Sequence, residues 1–292
     1  MNLIDHSKVT KRISLRLTMN ILLNGLFLFA TIFGLLVLAI LLYRIFTQGI
    51  GFLDIDFLTN FASRIPERAG VVAALVGSIW LMVVVAPISL LLGVGTALYL
   101  EEYAQKNKLT QLIQINISNL AGVPSIVFGL LGLAIFVHAL AFGTSILAAS
   151  LTMSLLILPV IIVASQEAIR AVPKELREAS YGMGATKWQT IVKVVLPAAI
   201  PGILTGGILA LSRAVGETAP LIVIGIPTFV PFLPSSILDS FTALPIQIYD
   251  WTSRPQTDFH DLAAAGIIVL LIFIILMNSI AVWIRNKFEK RY

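Results

Sequence analysis

Cysteine is missing from the 292-residue sequence, which excludes disulfides, thiolate nucleophiles and thiolate metal sites. Histidine is scarce as well: His6, His138 and His260 are too scattered to suggest a metal centre. Charge is the third scarcity. Only 12% of the residues are charged, against about 25% in an ordinary soluble domain. No G-x-x-x-x-G-K-[ST] segment occurs, so no loop here is built to cradle nucleotide phosphates. The net charge of +5 prompts the thought of nucleic acid, but the basic residues form no single patch, and that partner is excluded.

Hydrocarbon fills the space that charge leaves. Hydrophobic residues make up 58% of the chain, and the mean hydropathy is +0.96. A spanning helix needs about 20 largely apolar residues. Six runs meet that need: 19–43, 71–99, 117–140, 144–165, 201–226 and 262–284. The first is no signal peptide, because its apolar stretch from Leu17 to Tyr43 exceeds the roughly 7–15 residues of such a core and no small-residue cleavage pattern follows. The expected fold class is all-α, a polytopic membrane protein with six transmembrane helices.

Lysine and arginine set the expected orientation. Four lie within the first 16 residues, two in 101–116, five in 166–200 and four in the C-terminal tail. The opposite side holds Arg44, Arg64, Arg68 and Arg254. The positive-inside rule then puts both termini in the cytoplasm of a multi-pass plasma-membrane protein. The organisation expected is a tail, first helix and outer loop in 1–69, a main membrane unit in 70–284 with its long cytoplasmic loop at 166–200, and a cytoplasmic tail in 285–292. The outer loop from Pro227 to His260 is rich in proline and aromatics, and reads equally as a docking surface or as a folded cap.

The long cytoplasmic loop predicts two short helices. Pro173 suits a first-turn position, Lys174 to Tyr181 are good helix formers, and Gly182 and Gly184 break the run. An amphipathic piece with Trp188, Ile191 and Val195 follows and ends at Leu196-Pro197. Within this loop Glu178-Ala179-Ser180, Gly184 and Val194-x-Leu196-Pro197 stand at the spacing of the EAA loop, and on them the chain resembles the permeases of ABC importers. The resemblance implies the type I, MetI-like fold, with this loop as the coupling element that docks on an ATPase subunit. It places that role on Glu178, Ala179, Gly184, Leu196 and Pro197. Without the resemblance, the same loop reads as an interfacial amphipathic helix.

Three further stretches, LEEYA at 100–104, LAGVPSIVFGLLGL at 120–133 and SRAVGETAPL at 212–221, are similar to the phosphate-uptake permeases, closest to the PstA type. That likeness implies import of inorganic phosphate by alternating access. It also implies a second permease of PstC type, two ATPase subunits of PstB type carrying ATP and Mg, and an external phosphate-binding protein of PstS type. The chain itself is expected to bind no cofactor and to be no enzyme. Rival readings are a permease for another oxyanion such as molybdate or sulfate, an ion-coupled secondary transporter, and a non-transporting scaffold.

Arg213 and Glu217 interrupt an otherwise apolar span. On a continuous helix Gly206, Ala210, Arg213 and Glu217 form one stripe, and Leu204, Ile208, Leu211 and Val215 form an apolar one. Charges at bilayer depth are costly and face an interior or a cavity as a rule. Two readings stand: a closed i,i+4 salt bridge locking the bundle, or an oxyanion site. In the second, the planar fork of Arg213 takes the anion while Glu217 accepts a hydrogen bond from the P–OH of hydrogen phosphate, a donor that sulfate lacks. Thr218 and Ser125 would add hydroxyl donors.

Overall fold

The computed structural model describes the backbone of residues 6–105 and 107–288, and the side chains of 16–105 and 107–287. The ends of the two expected tails, 1–5 and 289–292, lie outside the described residues. Among these residues the chain is helical and contains no β-strand; the one bridge joins Ser145 to Ser240.

The first helix, α1 (His6–Gly49), is long and apolar, and none of its apolar stretch is buried within this chain. It touches the rest near its end, where Gly49 lies so close to the backbone of Ala264 and Ala265 that an added Cβ would come within 2.6 Å. A short outer helix, α2 (Ile55–Thr59), is capped by Asp54 and carries Phe57 into the core against Trp251. Helix α3 (Val72–Leu98) runs on through Pro87 into a π-helical turn at Tyr99–Tyr103.

The expected third span at 117–140 is corrected. Helix α4 (Lys108–Leu120) and helix α5 (Ser125–Gly132), which continues as a π-helical coil at Leu133–Ala139, meet at an angle of 105°. Pro124 explains the break, since it disfavours helix at the residue before it and lacks an N–H. The second limb covers only residues 125–139, about 22 Å at 1.5 Å per residue, short of the bilayer's ~30 Å. Five helices are long and apolar enough to cross, or six with this bent pair counted as one.

Helix α6 (Ile146–Arg170) is the centre of the bundle, with 67% of its apolar window buried. It runs parallel to α3: Leu81 O accepts from Ser150 Oγ at 3.5 Å, and Gly93 receives Ile161. Its first N–H groups are satisfied from far away, Ile146 N donating to Asp239 O at 3.1 Å and Leu147 N to Ile237 O at 2.8 Å. Beyond it stand α7 (Lys174–Gly182) and α8 (Lys187–Thr190).

The expected stop at Leu196-Pro197 is also corrected. From Lys187 the chain is one helix, passing through a π-helical turn at Ile191–Val195 into α9 (Leu196–Gly216). Pro197 falls at the start of α9, where the widened turn changes the hydrogen-bond register that a proline would otherwise break. Gly202 and Gly206 of α9 seat against Ala168 and Ala164 of α6, so small residues set this crossing.

The fifth span differs too. It does not run unbroken from 201 to 226, because α9 ends at Gly216 and a short α10 (Ala219–Ile224) begins after two residues. Pro220 in the first turn of α10 suits a restart rather than a continuation. The segment 227–243 and α11 (Leu244–Thr252) then fold back as a cap: Phe241, Leu244 and Trp251 are fully buried, and Leu244 N donates to Ser78 Oγ at 2.9 Å. Helix α12 (Thr257–Phe288) returns antiparallel to α9, with Ser212 Oγ donating to Asn278 Oδ1 at 2.6 Å and Arg285 reaching Thr205 at 3.4 Å. The far end of α12 therefore lies at the end of the bundle that carries α7 and α8.

Candidate functional site

Two places carry the residues singled out from sequence, one at the break after α9 and one at the α7–α8 end.

At the break, the expected Arg213–Glu217 pair does not form. Arg213 is exposed on the last turn of α9, while Glu217 is half-buried and already extended at φ −76°, ψ 121°. The i,i+4 geometry needs an unbroken helix, and the helix stops between them. Among the described residues neither side chain has an ion pair or hydrogen bond. The two stripes are changed as well. Gly206 and Ala210 are used in packing, so the small-residue half of the stripe faces protein rather than a watery interior. Leu204, Ile208 and Leu211 instead line an apolar groove of about 650 Å³ between α3, α9 and α12.

Thr218 stands between the two helices without capping α10 through its side chain. Ser125 is the first residue of α5, half-buried, one helical turn from Gly129. Gly129 is where the two broken segments meet: a Cβ there would lie 2.9 Å from Pro220 Cα and from Val223 Cβ. The structure thus brings the α5 and α10 fragments together, and among the described residues no hydrogen bond joins Ser125 to Arg213 or Glu217. Two interrupted helices pack side by side here, and each helix end leaves backbone groups without an intrahelical partner. Such backbone is tolerated where protein covers it or water reaches it.

At the other end, α7 closes with a left-handed residue. Gly184 has φ +84°, its N–H donates to Tyr181 O at 2.9 Å, and Ala185 N donates to Ser180 O at 3.1 Å. Nothing lies within 4 Å of where a Gly184 Cβ would be, so backbone conformation alone demands glycine there. Thr186 and Gln189 form a reciprocal capping box that starts α8. Glu178 and Ala179 are exposed, beside Met183 at 83% and Trp188 at 65% exposure. Apolar side chains this open, next to charged neighbours, are what a docking face presents. Leu196 and Pro197 are half-buried within the continuous helix, where Leu196 packs against the core cluster of Ile169 and Val195.

Ser180, where the EAA pattern has alanine, is buried, and its hydroxyl lies 2.9 Å from that of Thr190. That contact ties α7 to α8 across the glycine turn.

Sequence reasoning missed an ion network at the same end. Glu101 accepts from Gln166 Nε2 at 2.8 Å and from Arg170 Nε and Nη2 at 2.9 and 2.6 Å. Glu102 accepts from Arg177 Nε and Nη2 at 3.3 and 3.1 Å, and Arg177 also donates to the carbonyls of Val172 and Ile169 at 2.7 and 2.9 Å. Lys187 Nζ stands 4.8 Å from the centroid of the Tyr103 ring. The LEEYA stretch held the signal, two adjacent acids at the end of an apolar run, but its partners lie some 70 residues away in sequence.

Residues 89–292 match the family described as "Binding-protein-dependent transport system inner membrane component". The chain is 34% identical to a probable ABC transporter permease protein, YqgI of Bacillus subtilis, over 92% of this chain and 96% of that one. It is 32% identical to the phosphate transport system permease protein PstA of Haemophilus influenzae, over 90% and 92%. Among solved structures it superposes on a chain of a bacterial ABC transporter involved in alginate import, with a TM-score of 0.66 at 14% identity, covering 96% of this chain and 100% of the other. A chain of the inward-facing MetNI methionine transporter gives 0.58 at 21% identity, over 74% and 97%. At these identities the structural likeness speaks for the fold.

Proposed function

The chain belongs to the family of binding-protein-dependent transport system inner membrane components, and from that premise we propose that it is one half of the translocation pore of an ATP-driven importer of inorganic phosphate. Relatives named as phosphate permeases, at 32% and 37% identity over most of the chain, support the cargo. The orientation follows the charge bias: the α7–α8 end lies in the cytoplasm, and the cap of α11 lies outside.

The observation that carries the reading is the pair of unpartnered charges at the α9–α10 break. An arginine and a carboxylate without internal partners, held at membrane depth, require something from beyond the chain to neutralise them. A second permease of PstC type and the passing anion supply that in this reading. Arg213 donates to the phosphate oxygens, Glu217 accepts from P–OH, and Thr218 and Ser125 add hydroxyls along the path. Two ATPase subunits of PstB type, holding ATP and Mg, dock on Glu178, Ala179 and the Gly184 turn. A PstS-type protein delivers phosphate to the outer face. The chain makes and breaks no bonds itself.

Glu217→Gln tests the reading. In vesicles with all subunits, the variant is expected to lose selectivity, so that sulfate competes with phosphate uptake. Intact phosphate uptake with sulfate still rejected removes Glu217 from the site. Uptake of molybdate or sulfate rather than phosphate by the wild-type complex replaces the cargo.

A further inference from the structure

The segment read as the docking loop is gripped from a single point. The π-helical turn Tyr99–Tyr103 ends α3, and three consecutive side chains of it hold three different elements: Glu101 holds Arg170 at the end of α6, Glu102 holds Arg177 on α7, and Tyr103 holds Lys187 at the start of α8. Arg177 is the most committed of the partners. It donates to the carbonyl of Ile169 in the last turn of α6 and to that of Val172 just beyond, while binding Glu102, so one guanidinium joins the turn after α3, the end of α6 and α7. The Arg177–Glu102 pair is also sheltered, with side-chain exposures of 19% and 10%, and is therefore weakly screened by salt. By contrast, the covalent connection from α7 to α8 passes through a turn with glycines at 182 and 184, the second at positive φ.

We infer that Glu102 and Arg177, supported by Glu101–Arg170 and Tyr103–Lys187, are positioning residues that make α7 and the end of α3 one rigid lever. Motion imposed on α7 by an ATPase subunit reaches the membrane through α3, in parallel with the direct path along α8 and α9. The clamp stays closed throughout the cycle. The inference rests on the reading of α7 as the docking element, but not on the identity of the cargo.

The absence of native cysteine allows a clean test. Cys residues introduced together at Glu102 and Arg177 can be bridged by a short bifunctional thiol reagent in the assembled complex. Before bridging, cargo imported per ATP hydrolysed is expected to fall about tenfold, the scale of one lost charged hydrogen bond. Bridging restores at least half of it. Unchanged coupling without the bridge shows the clamp carries nothing, and bridging that fails to restore import, or arrests it, shows the clamp must open. Glu102→Gln guards against poor assembly of the double variant: hydrolysis is expected to persist while import drops. A parallel loss of both would mean a merely structural role. All arms use whichever oxyanion the wild-type complex imports, so a wrong cargo shows in the wild type and an absent lever shows only in the variants.

Discussion

Acids and bases meet very different fates at the two ends of this molecule. At the α7–α8 end, Glu101 and Glu102 are each closed onto an arginine of the same chain. At the α9–α10 break, Arg213 and Glu217 lie four residues apart and have no such partner among the described residues. Proximity in sequence does not decide this; helix continuity does. The first set spends its charge on joining three elements of the fold, whereas the second makes no such internal link.

Substitutions at the break should silence transport without loosening the fold. Arg213→Gln is expected to reduce uptake about 10- to 100-fold, the worth of a charged hydrogen bond, with the melting temperature of the assembled complex unchanged. A large drop in melting temperature would mean that Arg213 is structural and the contrast is void. Gly184→Val attacks the other end through the backbone. With φ at +84°, a β-branched residue there carries strain of order 1–3 kcal/mol. The expected outcome is hydrolysis no longer linked to import, read as about a tenfold lower transport-to-ATP ratio.

Gly206→Leu lies between the two regions. Seated against Ala164, it should push α9 from α6 and destabilise by about 1–3 kcal/mol, read as a lower unfolding temperature. Ser180→Ala is milder. It removes the buried bond to Thr190 and should lower stability by ~1 kcal/mol while leaving Glu178, Ala179 and Met183 exposed. The Asp239 side chain gives the smallest effect and serves as a control, because every hydrogen bond to its carboxylate is local. The backbone N–H groups of Ser235 and Ser236, then the Ser235 hydroxyl, hold its carboxyl below the usual carboxylate range. A depressed folded value means that this contribution is fully present above the usual carboxylate range and is lost as pH falls below that range through the folded value. The protection factors of the amides at 235–239, taken relative to intrinsic exchange at each pH, should fall on acidification, whereas Asp239→Asn should leave uptake near wild type.

The sequence was legible where a pattern is local. The apolar runs located the crossing helices, and of the two glycines that break the run after Tyr181, Gly184 has the positive φ that such a turn needs. It misled where one residue redirects a long run. Hydropathy cannot see that Pro124 folds 117–140 into two limbs, nor that Gly216 and Pro220 divide 201–226, because every residue around these breaks stays apolar. Pro197 misled in the opposite sense, since a π-helical turn carries the chain past it. The clamp was invisible for another reason: its halves are remote in sequence, and only the parallel packing of α3 and α6 brings them together. The outer loop, balanced between docking surface and cap, has its buried aromatics committed to the cap, although Phe229, Phe232 and Leu233 remain exposed on it.

The long-range capping of α6 has a consequence for how the protein is made. The carbonyls of Ile237 and Asp239 that complete the first turn of α6 are synthesised only after all of α6 to α10. Until then the central helix of the bundle waits in the membrane with its leading N–H groups held by water, lipid headgroups or the insertion machinery. Biogenesis is therefore retrospective: the most buried helix is finished by a segment that follows it through the membrane, and a chain truncated before residue 237 would leave its own centre incomplete.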